Sequence, residues 1–298
     1  MDMSDRIGFI GLGLMGKPMA LNLLKKGFPL VVMSRSHPPV DELVAAGAVA
    51  AATPAEVAAS TDVIITMVPD GPDVTQVLKS PGGVFETVRP GSVIIDMSTI
   101  APSVARELAA AAAQRSVQML DAPVSGGEIG AINASLSVMV GGDAAALERV
   151  RPVLNAVGNP ERVVHIGPSG AGQVCKACNQ ICIGGALASV SEAFAMARRA
   201  GIDPAKVREA LMGGFAASRV LEVHGERILK GHYVPGFKTK LYHKDLGIVM
   251  QTLHELALSA PVAALVQQYV SAVMAAGGGE DDYSALARAV FDAAGLDA

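Results

Sequence analysis

Between residues 7 and 165 the chain alternates short apolar runs with longer stretches of helical periodicity. This is the pattern of a parallel sheet whose strands are joined by crossover helices. The runs predict strands at 7–10, 30–33, 63–66, 93–96, 118–121, 137–140 and 163–165. Alanine-rich helices fall between them, as at 102–114 and 144–155. From 173 to 199 the pattern becomes one long helix, apolar almost all round, which is expected to be buried. Residues 204–298 show only helical periodicity, broken at Gly213-Gly214, Gly231, Pro235-Gly236 and 277–279.

The first apolar run leads straight into Gly11-Leu12-Gly13-Leu14-Met15-Gly16, followed by a helical pattern with Met19, Leu23 and Leu24 on one side. In a strand–turn–helix setting, Gly11 permits the tight turn and Gly13 lets a pyrophosphate approach the backbone. Gly16 allows the helix to pack closely on the strand. The unpaired N–H groups of the helix start then face the phosphates. The expected fold is therefore α/β, with a Rossmann dinucleotide-binding domain over 1–166. A long interdomain helix and an all-α substrate and dimerisation domain are expected over 167–298.

Composition narrows the function. The chain has 298 residues, 51% hydrophobic and 17% charged, enough for two packed domains and unlike a disordered chain. Net charge is −4 with no tryptophan and no basic run, so nucleic acid is not an expected partner. Apolar stretches of membrane-spanning length are interrupted by Gly, Ser or Gln, and a polar start enters the first strand directly. A cytoplasmic protein with no membrane partner is expected. Cys175, Cys178 and Cys182 lie on one helical stripe without a fourth soft ligand or a histidine nearby, so buried packing is expected rather than metal or redox chemistry. His165, His224, His232, His243 and His254 show no metal-ligand spacing either, and no metal is expected.

At the end of the second strand, where NAD-binding chains usually carry an acid for the ribose 2′-OH, this chain has Ser34-Arg35-Ser36 and no acid until Asp41. A guanidinium between two hydroxyls suits a 2′-phosphate, so NADP is the preferred cofactor and NAD a possible one. A solvated loop arginine is the alternative. Met67-Val68-Pro69 and Thr99 follow the third and fourth predicted strands. Ligands bind beyond such carboxyl ends, so these residues join the cofactor-binding set. Thr99 is also a candidate cap for the helix starting near Pro102.

The substrate candidates fall into three segments. Ser125-Gly126-Gly127, after the fifth strand, offers a hydroxyl and unobstructed N–H groups that suit a carboxylate; an ordinary glycine turn is the alternative. Lys176 and Asn179 lie three apart on the long helix and so share a face, where one small molecule can touch both. Further on, Phe237 is a candidate pocket wall, and Lys244 a candidate partner for the carboxylate or the cofactor. A Lys-Asp pair such as Lys244-Asp245 is more often a surface ion pair.

Taken together, Gly8-Phe-Ile-Gly-Leu-Gly-Leu-Met-Gly-Lys-Pro-Met, Asp121-Ala-Pro-Val-Ser-Gly-Gly, Gly170-Ala-Gly-Gln-Val-Cys-Lys-Ala-Cys-Asn and Lys244-Asp-Leu resemble the signatures of the β-hydroxyacid dehydrogenases, in order and across essentially the whole chain. The resemblance implies an NAD(P)-dependent enzyme that reduces a short semialdehyde acid to its hydroxy acid. It makes Lys176 the catalytic residue, has Asn179, Ser125, Gly126 and Gly127 hold the substrate, and implies a homodimer or homotetramer. A three-carbon 2-hydroxy-3-oxo acid is the expected substrate, with succinic semialdehyde or 3-hydroxyisobutyrate chemistry as the runner-up. Arg219, after Gly213-Gly214, is an unexpected charge near the presumed pocket. A nucleotide-binding scaffold without catalysis is the alternative of another class, and the presence of both Lys176 and Asn179 speaks against it.

Overall fold

A computed structural model describes residues 6–297 and divides the chain into two compact units, 1–176 and 177–298. The first is built on one sheet: β1 (Ile7–Ile10), β2 (Leu30–Met33), β3 (Val49–Ala50), β4 (Val63–Thr66), β5 (Val93–Asp96), β6 (Gln118–Asp121), β7 (Val124–Ser125), β8 (Leu136–Gly141) and β9 (Gly158–Gly167). The strand order is β3-β2-β1-β4-β5-β6-β8-β7, with β9 paired to β8. From β3 to β6 every pairing is parallel, giving the doubly wound order of a Rossmann domain. β6 then meets β8 antiparallel at Asp121 and Gly141.

The central strands are apolar on both faces because helices cover both. Phe9, Val32, Ile65 and Ile95 pack into one core layer, while Ile10, Val31, Ile64 and Ile94 pack into the other. All the expected strands are present. β3 and β7 escaped notice because a two-residue strand has no periodicity to read. β9 begins earlier than expected, since its residues 159–162 are polar and largely exposed.

The second unit is helical. Pro204–Met212, Arg219–Leu229, Thr239–Glu255, Pro261–Ala275 and Leu286–Ala293 gather with the long helix Ala171–Arg199 around Leu187, Phe194, Tyr242, Val266 and Phe291. Gly184 makes one close approach possible, because a Cβ there would lie 2.2 Å from the Tyr242 hydroxyl. That hydroxyl donates to Gln180 O at 3.0 Å.

The long helix corrects one expectation. It is not buried all round: Cys178, Cys182, Ser189, Glu192 and Met196 form an exposed stripe. Small residues such as Cys, Ala and Ser pack or face solvent at little cost, so its composition concealed the stripe. For the same reason the cysteines are not buried; Cys175 is half-buried and the other two are exposed. By length and composition this helix could cross a membrane, yet half of its most apolar window is buried inside the protein, as in a core helix.

A buried carboxyl ties the ends of β4 and β5 together. Asp96 Oδ1 accepts from Thr66 Oγ1 at 2.8 Å and from Ser98 N at 3.1 Å. Its Oδ2 has no hydrogen-bond partner among the described residues. Burial raises the Asp96 pKa from 3.8 to about 6, against the pull of those hydrogen bonds, and nearby Asp121 adds to the rise. The native state therefore holds this proton more tightly than the unfolded chain does. The resulting stability is fully present below the ordinary carboxyl value and is lost as pH rises through about 6. Asp96→Asn should remove up to about 3 kcal/mol of the fall in unfolding free energy between roughly pH 4 and 6, read from denaturant midpoints. An unchanged slope would place the titration on another group.

Candidate active site

Three turns at the carboxyl edge of the sheet shape the first half of the site. At the first, Gly11 has φ +99° and a Cβ there would sit 2.3 Å from Met67 O; at Gly16 it would sit 2.0 Å from Gly11 O. A side chain at either position would break the turn. Gly13 differs, with nothing within 4 Å of a Cβ, so its backbone is open to a ligand. The helix Gly16–Lys25 begins behind it with no side-chain cap and no acid in its first turn. Its N–H groups and positive dipole end are thus available to phosphate, and the residues present fit a dinucleotide. A groove beside the turn is lined by Leu12, Gly13, Leu14, Lys17, Ser36 and Glu128, among others.

Ser34 and Arg35 follow β2. The Ser34 hydroxyl lies 3.5 Å from Leu12 N. Arg35 is largely exposed and meets Asp73 at 3.3 Å. An exposed pair of this kind holds the guanidinium by no more than about 1 kcal/mol, so a phosphate could displace the carboxylate. After β4, Val68 N donates to Ser98 Oγ at 3.0 Å, which fixes the Met67–Pro69 segment. Ala101, not Thr99, precedes the helix Pro102–Ala113, and that helix has no side-chain cap.

The second turn lies at the end of β6. Asp121 ends β6, only 2% exposed, and its carboxylate receives Gly170 N at 2.7 Å and Gln173 N at 2.9 Å. It thus caps the start of the long helix, which supplies four orphan N–H groups. Burial pushes its pKa up while these backbone donors pull it down. Gln173 completes the joint: its side chain accepts from Ile100 N at 3.1 Å and donates to Ser98 O at 2.8 Å. Gly172 lets the helix come this close, since a Cβ there would lie 2.3 Å from Met139 O.

One turn further along, Lys176 is 8% exposed and its Nζ donates to Val124 O at 2.9 Å. Val124 immediately precedes Ser125, Gly126 and Gly127, so the ammonium stands beside the third turn. The two glycines have φ +139° and +63°, with open space around Gly127. The structure therefore brings Lys176 and the Ser125–Gly127 turn together, 49 residues apart in sequence.

The second unit presents a separate polar chain. Asn179 Nδ2 donates to Gln180 Oε1 at 2.8 Å, and Gln180 Nε2 donates to Asp245 Oδ2 at 2.6 Å. Asp245, buried at 3%, is 3.1 Å from Lys244 Nζ. The Lys244–Asp245 pair is therefore not the solvated surface pair weighed above. Phe237 is half-buried beside Tyr242 and Tyr283. Arg219, by contrast, is a surface residue paired with Glu222 at 2.7 Å. Gln173 and Gln180, whose side chains hold these segments, were not singled out from the sequence. The available signal was a polar amide within the otherwise apolar long helix.

Comparison with known proteins identifies the family. Residues 6–167 match the family model of the NAD-binding domain of 6-phosphogluconate dehydrogenase. Residues 170–290 match that of the NAD-binding domain of NADP-dependent 3-hydroxyisobutyrate dehydrogenase. The chain is 45% identical to 2-hydroxy-3-oxopropionate reductase of Escherichia coli over 96% of its own length and 97% of that protein. It is 37% identical to 2-(hydroxymethyl)glutarate dehydrogenase of Eubacterium barkeri, covering 96% of this chain and 95% of the other. Among solved structures, 3-hydroxyisobutyrate dehydrogenase of Mycobacterium tuberculosis with L-serine superposes with a TM-score of 0.89 at 32% identity, covering 96% and 99% of the two chains. The chain belongs to the NAD(P)-dependent β-hydroxyacid dehydrogenases.

Proposed function

We propose that the enzyme reduces 2-hydroxy-3-oxopropionate (tartronate semialdehyde) to glycerate, with Lys176 as the proton donor. The observation that carries the mechanism is the bond from Lys176 Nζ to Val124 O, which sets an ammonium beside the Ser125–Gly127 turn. The identity to the Escherichia coli reductase supports the choice of substrate. The dinucleotide, when bound, supplies the hydride; Gly11–Gly16, Ser34, Arg35, Met67–Pro69, Thr99 and Lys244 are assigned to holding it. As the aldehyde carbon gains hydride its oxygen becomes an alkoxide. A lysine ammonium at that oxygen stabilises the charge and delivers the proton. Ser125, Gly126 and Gly127 orient the carboxylate through a hydroxyl and backbone N–H groups. Asn179, one turn beyond Lys176, is assigned to the substrate hydroxyl, and Phe237 and Lys244 to the substrate by family resemblance.

NADP is the proposed preferred cofactor, on the strength of Arg35 between two serines. We further propose a cytoplasmic homodimer or homotetramer. The exposed stripe on the long helix supports assembly, as do exposed Val262 and Leu265 on the neighbouring helix Pro261–Ala275.

Lys176→Ala should keep the fold and nucleotide affinity but lower kcat by about 10²–10⁴, the range for losing a general acid. Near wild-type turnover would sink the mechanism. For Arg35→Asp, titrations with both nucleotides should show NADPH weakened more than NADH by about 2 kcal/mol, roughly 30-fold. Equal losses would make Arg35 a bystander.

Initial rates on a panel of semialdehydes test the substrate. A semialdehyde without the 2-hydroxyl leaves a polar partner unpaired, which should lower kcat/KM by roughly 5–150-fold. Succinic semialdehyde should also be poorer, because its extra length carries the carbonyl away from Lys176. Arg219 lies at the surface paired with Glu222, so its weight as an argument for a doubly charged acid is reduced. A higher kcat/KM for succinic semialdehyde would transfer the assignment to the runner-up.

A further inference from the structure

The segment that carries Phe237 is fastened by a carboxylate that neither the sequence reading nor the proposed chemistry uses. Asp282 is fully buried in the helical unit. Its Oδ2 accepts from Gly236 N at 2.9 Å and Phe237 N at 3.2 Å, and lies 3.2 Å from Arg227 Nη1. Its Oδ1 accepts from Ser284 N at 3.1 Å and Ser284 Oγ at 2.6 Å. A buried carboxylate is tolerable only when it is this well supplied with donors. Two of those donors belong to the backbone of one short, otherwise irregular stretch.

The next residue holds the ring. Tyr283 N donates to Phe237 O at 3.0 Å. Its ring meets that of Phe237 edge-on at 5.7 Å, and Tyr242 closes a second edge contact at 6.5 Å. The Tyr283 hydroxyl is bonded to His224 Nε2 at 2.7 Å, so the tyrosine is itself pinned. Arg227 Nη1 donates to Val234 O at 2.7 Å, and Asp282 N to Tyr233 O at 2.8 Å. Phe237 is therefore fixed at its N–H, its carbonyl and its ring, two residues before the helix Thr239–Glu255 begins.

We infer that Asp282 and Tyr283 are positioning residues that set the place of the Phe237 ring and, through it, the affinity for the acid substrate without touching it. The second half rests on the proposal that Phe237 walls the substrate site; the first half rests on the contacts alone. The chain has no tryptophan, so Phe237→Trp introduces a sole indole reporter. In that background, Asp282→Asn and Tyr283→Leu should raise acrylamide quenching by about threefold, as expected when a pinned side chain becomes mobile. Tyr283→Phe keeps the ring but loses the His224 bond, so it should raise quenching less than Tyr283→Leu does. Leu253→Ala, a destabilising change in a separate core cluster of the same unit, should leave quenching unchanged.

In the otherwise native enzyme, Asp282→Asn and Tyr283→Leu should raise KM for the semialdehyde about tenfold, with kcat and NADPH affinity changed by no more than about twofold. Quenching that stays at the parent value in both variants, or rises equally in Leu253→Ala, overturns the positioning role. Increased quenching with an unchanged KM supports the positioning and overturns the assignment of Phe237 to the substrate.

Discussion

The carboxylate of Asp121, placed at the end of β6 and bonded to Gly170 N and Gln173 N, is the joint on which the catalytic half depends. A helix of 29 residues is a stiff lever, and its direction is set where its first turn is anchored. Lys176 lies about one and a half turns from that anchor, so small errors at Asp121 become displacements of the ammonium. Gln173 resists the rotation that a single anchor would leave free, because it bonds both Ile100 N and Ser98 O. The price of this joint is a buried carboxylate with a raised pKa, partly offset by backbone donors.

That joint also bears on where anions can bind. The positive end of the long helix is already occupied by Asp121, which is consistent with the proposal that a substrate carboxylate uses the N–H groups of the Ser125–Gly127 turn instead. The helices that follow β3 and β4 are likewise capped, by Thr53 and Asp70. Those that follow β1, β2 and β5 begin with no side-chain cap and no acid in the first turn. An uncapped helix start costs stability unless something else meets its donors. The three open starts border the segments assigned to the dinucleotide, which is what a fold built to bind phosphates requires.

The sheet was legible because fully buried parallel strands write themselves as unbroken apolar runs, as in Val63–Thr66 and Val93–Asp96. The glycine turn was legible because only glycine meets its steric limits at Gly11 and Gly16. The long helix was found, but its exposed stripe was not, since Cys178, Cys182 and Ser189 are as compatible with solvent as with a core. Tertiary polar contacts were the least legible. Nothing local links Asp121 to Gln173, or Gln180 to Asp245, and a motif names such residues without saying what they touch.

The helical unit shows why that gap matters for specificity. Its site candidates are held by buried polar links of long sequence separation: Gln180 to Asp245, and Asp282 to the 236–237 backbone. Substituting any one of these changes the geometry of residues that are themselves unaltered. Hydride and proton delivery are common to every reaction of this class, so the groups that serve them are expected to vary least. What is freer to vary is the set of side chains proposed to meet the rest of the acid. Differences in substrate among these enzymes are therefore expected in the supports of the pocket residues as much as in the pocket residues themselves.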